Sequence, residues 1–129
     1  MVLAGASRAY PGRVVAALEC YLDSEASRRV RTLWDALESA GVPTLRGLTH
    51  ARHRPHISLA VADRLDPVAV ETALAGFPAA PPLPVRLDYT GQFVGRVLWL
   101  GPAPTAELLA HHAAVHTRLA AAGIESDPL

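Results

Sequence analysis

The stretch Arg54-Pro55-His56-Ile57-Ser58-Leu59-Ala60-Val61 constrains the fold more than any other part of the chain. Pro55 argues against a helix here, and the β-prone apolar run after it reads as a short buried strand. Successive side chains in a strand point to opposite faces. His56 and Ser58 therefore share one face, while Ile57, Leu59 and Val61 share the other. An imidazole that can move a proton then sits beside a hydroxyl that can hold an oxyanion, a pair suited to chemistry on a phosphate ester.

Around that strand the chain reads as an alternation of strands and helices. Val14 to Leu22 is apolar and β-prone and predicts a first strand. Asp23 or Ser24 caps the helix that follows, whose apolar positions Ala26, Val30, Leu33, Trp34, Leu37 and Ala40 recur at helical spacing until Gly41 stops it. Arg28, Arg29, Arg31, Asp35 and Glu38 fall mostly on its other side, the usual solvated face. A short strand is expected from Thr44 to Leu48. Asp66-Pro67 opens a short helix through Val70 and Leu74 to about Gly76. Pro78 to Pro84 is a stiff connection, suited to a crossing between two lobes. Val85 to Val94 and Arg96 to Leu100 predict two strands joined near Gly91 to Gly95. Pro104-Thr105 then opens a helix with Leu108, His112, Val115, Leu119 and Ala122 along one stripe, closed by Gly123.

Composition narrows the class. The chain of 129 residues is long enough for one domain with a real core, and it is 50% hydrophobic and 19% charged, as soluble globular proteins are. Its formal net charge of zero gives no global argument for nucleic acid or a membrane surface. All 12 basic residues are arginine, a bias that fits genome composition more than function. Cys20 is the only cysteine, which excludes an intramolecular disulfide and a cysteine-built zinc site and fits a reducing interior. The opening Met1 to Ser7 lacks the basic start and the apolar run of a signal peptide, and no apolar stretch reaches membrane-spanning length. A cytoplasmic location without membrane contact is expected.

Several other residues invite a functional reading. His50, His53 and His56 recur every three residues, yet that spacing sends alternate members to opposite faces of a strand, so no metal is expected. Arg46, Arg52 and Arg54 lie in a span with no acid between Glu38 and Asp63, a local positive patch able to attract phosphate; a solvated loop explains it as well. Glu19 and Tyr21 share one face of the first strand, where a buried glutamate needs a partner. His111, His112 and His116 lie on the last helix at core or boundary positions. Trp34 and Trp99 read as core. The glycines between Gly91 and Gly95 have the wrong spacing for a phosphate-cradling loop.

The two halves echo each other: strand, helix and Ala40-Gly41-Val42 in the first, strand, helix and Ala122-Gly123-Ile124 in the second. His56 follows Gly41 by fifteen residues, and the same offset from Gly123 falls beyond Leu129. Pro55-His56-Ile57-Ser58-Leu59 resembles the first signature of the two-histidine phosphoesterase superfamily, of the 2′-5′ RNA ligase-like kind. The opening strand leading into a long helix is similar to that family's start. Gly91-Gln92-Phe93 followed by Arg96-Val97-Leu98-Trp99-Leu100-Gly101 is similar to its central hairpin. The helix closing on Ala121-Ala122-Gly123-Ile124 is similar to the one before its second signature.

The resemblance, covering about residues 13 to 129, implies an α+β fold: two pseudo-symmetric lobes, about 14–80 and 84–129, of antiparallel sheets with flanking helices around a cleft. The C-terminal strand bearing the second His-x-Thr/Ser pair is expected to be missing, and His116-Thr117-Arg118, inside a helix, does not replace it. The implied activity is metal-independent and cofactor-free, acting on RNA ends or cyclic nucleotides as a 2′,3′-cyclic phosphodiesterase or RNA ligase. His56 is the expected acid/base, and Ser58 holds phosphate. Arg54, Tyr21 and Phe93 are the expected substrate contacts, with Phe93 stacking a base. Half of an acid/base pair predicts weak or no turnover by this chain alone, and strand exchange in a homo-oligomer is one way to supply the other half. The competing functions are a non-catalytic nucleotide or RNA-end binding module and a purely structural domain.

Overall fold

A computed structural model describes residues 8–10, 13–47, 53–77, 82–93 and 97–128. The described residues form an α+β architecture of helices and two antiparallel sheets, and they divide into two compact units. One unit runs to Pro67 and is rejoined by Asp127 and Pro128; the other is Val68–Ser126. Among the described residues no helix is long and apolar enough to cross a membrane.

The first unit is built on a sheet ordered β1-β2-β3-β6, from β1 (Arg8–Tyr10), β2 (Arg13–Tyr21), β3 (His56–Ala62) and β6 (Asp127–Pro128). The β2 and β3 strands are those expected from the apolar runs. The short β6 was not anticipated: Asp127 and Pro128 register with Val61 and Ala60 of β3. Leu18, Leu59, Ala60 and Ala62 are buried, and each leucine withdrawn from water contributes about 1.5–3 kcal/mol.

Between β2 and β3 the pairing slips. Leu18 faces Ala60, but the next residue, Glu19, faces Ser58, so Leu59 is the extra residue of a β-bulge. Beyond the slip Cys20 faces Ile57 and Tyr21 faces His56. Because residues directly opposite each other in a sheet point the same way, the slip determines which β2 side chains share a face with His56 and Ser58.

Helix α1 (Ser24–Ser39) starts where the sequence places it. The Asp23 carboxylate accepts the Ala26 N–H at 2.7 Å, satisfying one of the free donors of the first turn. It ends in a Schellman turn around Gly41 (φ 81°), with the Val42 N–H donating to Leu37 O and the Gly41 N–H to Glu38 O. The apolar stripe of α1 is only half-covered: none of its residues is buried, Leu33 is exposed and Trp34 is half-buried, against the expectation of a core tryptophan.

The strand expected at Thr44–Leu48 is instead a 3-10 turn over Leu45–Gly47, with Leu48 outside the described residues. Local hydrogen bonds decide the matter. Thr44 Oγ1 donates to Glu38 Oε1 at 2.6 Å and accepts the Arg46 N–H, while the Gly47 N–H donates to the same carboxylate oxygen at 3.0 Å. A threonine that folds back on its own backbone gives the segment an alternative to a ladder.

Helix α2 (Pro67–Leu74) leads into the second unit, which holds the hairpin β4 (Leu87–Phe93) and β5 (Val97–Pro102) and helix α3 (Ala106–Ala121). Thr105 caps α3 by accepting the Leu108 N–H, and Gly123 (φ 72°) ends it in a second Schellman turn. Val70, Leu74, Val115 and Leu119 are buried, as the helical stripes require. Arg118 donates to Ala75 O and lies over the Phe77 ring, which meets His111 edge-on. In the hairpin, Trp99 lies over Gly91 and Tyr89 over Gly101, the two rings in edge contact at 5.6 Å. Trp99 is half-buried, not fully enclosed.

Candidate functional site

The β2–β3 slip assembles one face of the first sheet from Glu19, Tyr21, His56 and Ser58. His56 is half-buried, at the first position of β3. Its Nδ1 lies 2.7 Å from the carbonyl oxygen of Arg54, and since a carbonyl only accepts, Nδ1 carries a hydrogen. This is a backbone bond that fixes ring orientation and tautomer. It leaves Nε2 as the nitrogen not tied to the backbone.

Nε2 in turn lies 3.3 Å from Oε1 of Glu19, whose side chain is 7% exposed. Nε2, the nitrogen not bonded to the backbone, is thus the one that faces the buried carboxyl. The buried glutamate has a partner on this face.

Ser58 stands directly opposite Glu19, and among the described residues its hydroxyl makes no hydrogen bond. It is half-buried and adjoins the Glu19–His56 pair along the strand face. Tyr21 stands opposite His56, and the exposed Arg54 guanidinium lies 4.4 Å from the centre of its ring. That arrangement keeps a planar cation over the ring of the residue that pairs with His56. The Leu22 N–H donates to Pro55 O and ties the end of β2 to the start of β3.

The structure thus brings together four of the five residues expected from sequence: His56, Ser58, Arg54 and Tyr21. Phe93 ends β4 opposite Val97, with its side chain outside the described residues. Of the histidine repeat, His50 lies outside the described residues and His53 is half-buried. Among the described residues no group of three or more His, Cys, Asp or Glu is placed to hold a metal ion. Cys20 faces Ile57, away from the His56 face, and burial pushes its thiol above the ordinary value, which keeps it a protonated, weak nucleophile.

Glu19 is the residue whose role the sequence left open. Its burial was foreseeable from its place in an apolar strand. Its partner was not, because without the slip Cys20 would stand opposite Ser58.

Fold and site together define a small α+β protein that gathers a histidine, a glutamate and a serine on one sheet face. The chain matches the 2′-5′ RNA ligase superfamily over residues 21–128 and belongs to that family, the two-histidine phosphoesterase superfamily. Phosphoesterase and ligase activities are general to it. The matched span takes in the His56 strand, the hairpin and α3, and begins at Tyr21, so Glu19 stands just before it. No curated protein and no solved structure matches the chain.

Proposed function

We propose that this protein acts on RNA ends as a 2′,3′-cyclic phosphodiesterase or 2′-5′ ligase-type phosphoesterase. His56 is its acid/base, and Ser58 is its phosphate anchor. The observation that carries the reading is the shared face: an imidazole oriented through Nδ1 with Nε2 toward Glu19, and an uncommitted hydroxyl two residues along the same strand. In hydrolysis of a cyclic phosphate, Nε2 gives its proton to the departing ribose oxygen, or takes one from the attacking water. Glu19 serves as the proton's other resting place. Ser58 donates to a non-bridging oxygen as charge builds in the transition state, and Arg54 adds a fixed positive charge beside it.

The His-x-Ser/Thr pattern occurs once in this sequence, so slow turnover is expected and single-turnover conditions with enzyme in excess suit the test. His56→Gln should reduce hydrolysis of 2′,3′-cyclic nucleotides by about 10²–10⁴-fold, the usual weight of one acid/base group. Hydrolysis at an unchanged rate would remove His56 from the mechanism. Salt-sensitive binding of phosphorylated RNA ends with no turnover would instead identify a binding module.

A further inference from the structure

The sequence reads the arginines of α1 as a solvated face, but the structure gives them a second surface to work with. Arg28, Arg31, Thr32 and Asp35 recur at intervals of three and four residues and so share one side of the helix. With Arg46 and Arg54 they line an open groove of about 530 Å³ in the first unit. Four arginines line this groove against a single acidic residue, Asp35. Asp35 is already committed to Arg46, its Oδ1 lying 2.6 Å from Arg46 Nε. Among the described residues neither Arg28 nor Arg31 meets a carboxylate.

The groove is also built. The Glu38 carboxylate holds the 3-10 turn by two hydrogen bonds, and that turn delivers Arg46 to the groove wall. Arg54 belongs to both places at once. It lines the groove, its guanidinium covers Tyr21, and its carbonyl orients His56. Arg54 thus joins the groove wall to the imidazole that it orients.

We propose that this groove carries internucleotide phosphates of an RNA strand whose end lies at His56. The substrate class is then an oligonucleotide rather than a mononucleotide. The proposal rests on the reading of His56 as an RNA-end site and adds the strand's path to it. A 2′,3′-cyclic phosphate closes the 3′ end of a strand, so the rest of that strand must leave on its 5′ side, and the groove supplies the direction. Arginine's planar fork matches phosphate oxygens in pairs, and a row of such groups selects a repeating anion.

The test is binding, which does not depend on turnover. The probes are cytidine 2′,3′-cyclic phosphate, a tetracytidylate ending in the same cyclic phosphate, and a glutamate peptide of equal charge. The native chain should hold the tetranucleotide at least about tenfold tighter than the mononucleotide, the effect of one or two charge-assisted hydrogen bonds. The tetranucleotide's log affinity should fall with log salt by about 0.7 for each phosphate held.

Arg28→Ala/Arg31→Ala should erase the length advantage and leave mononucleotide binding as it was, while Arg28→Lys/Arg31→Lys should restore part of it. Equal affinity for the two nucleotides, or for the tetranucleotide and the glutamate peptide, overturns the proposal. A length advantage that persists while His56→Gln turns over normally would leave the groove standing and remove the catalytic reading. Loss of turnover in His56→Gln without any length advantage would do the reverse.

Discussion

At the residue scale the decisive pair is Glu19 and His56. The carboxyl is buried against the ring, and among the described residues the ring nitrogen that faces it has no other partner while Nδ1 is held by a backbone carbonyl. Interactions of this kind are best measured by a double-mutant cycle, because either truncation also disturbs its own surroundings. The cycle of Glu19→Gln, His56→Gln and the double variant should show a coupling of about 0.5–3 kcal/mol in denaturant unfolding. Strictly additive effects would mean that the 3.3 Å contact carries no energy in solution. The same cycle guards the activity test, since it separates loss of stability from loss of chemistry.

At the element scale the hairpin of β4 and β5 shows how glycine is used. Trp99 and Tyr89 each lie flat over a glycine of the opposite strand, Gly91 and Gly101, and their rings meet between. A methyl at Gly91 would run into the Trp99 ring, which cannot retreat without giving up the Tyr89 contact. Gly91→Ala should therefore cost about 1–3 kcal/mol, the usual penalty for overpacking, with loss of the near-ultraviolet tryptophan signal ahead of the main transition. Unchanged stability would show that the ring shifts freely. The two Schellman turns, at Ala40-Gly41-Val42 and Ala122-Gly123-Ile124, account for the similarity of the helix ends. Both places need a residue with positive φ and an apolar one after it, so the likeness follows from how helices end and needs no common ancestry of the halves.

For the whole molecule, pH couples to stability through α3. Burial, with the neighbouring positive charge of His112, lowers the His111 imidazole from its ordinary 6.5. The unfolded chain then takes up this proton at a higher pH than the folded chain. Its contribution is intact above about pH 6.5, is lost as pH falls from there through the lower folded value, and levels off below it. Melting temperature should fall more steeply for the native chain than for His111→Gln between about pH 7 and pH 5. Parallel curves would place this titration elsewhere.

What the amino-acid sequence determined by itself was everything governed by neighbours a few residues apart. Strands β2 and β3, the caps at Asp23 and Thr105, the stops at Gly41 and Gly123, and the sharing of one face by His56 and Ser58 all follow from local periodicity and turn chemistry. The strand expected at Thr44 failed because a side chain from the preceding helix, Glu38, captured its backbone. The tertiary structure alone decided which side chains meet across the sheet. A single extra residue at Leu59 exchanges Cys20 for Glu19 opposite Ser58, and period-two alternation within one strand carries no record of such a slip. It also decided that Arg28 and Arg31 share a groove with Arg46 and Arg54, because chain distant in sequence folds back along α1. Local order comes from nearest-neighbour sterics and hydrogen bonds, whereas register and convergence are set only when the whole chain closes on itself.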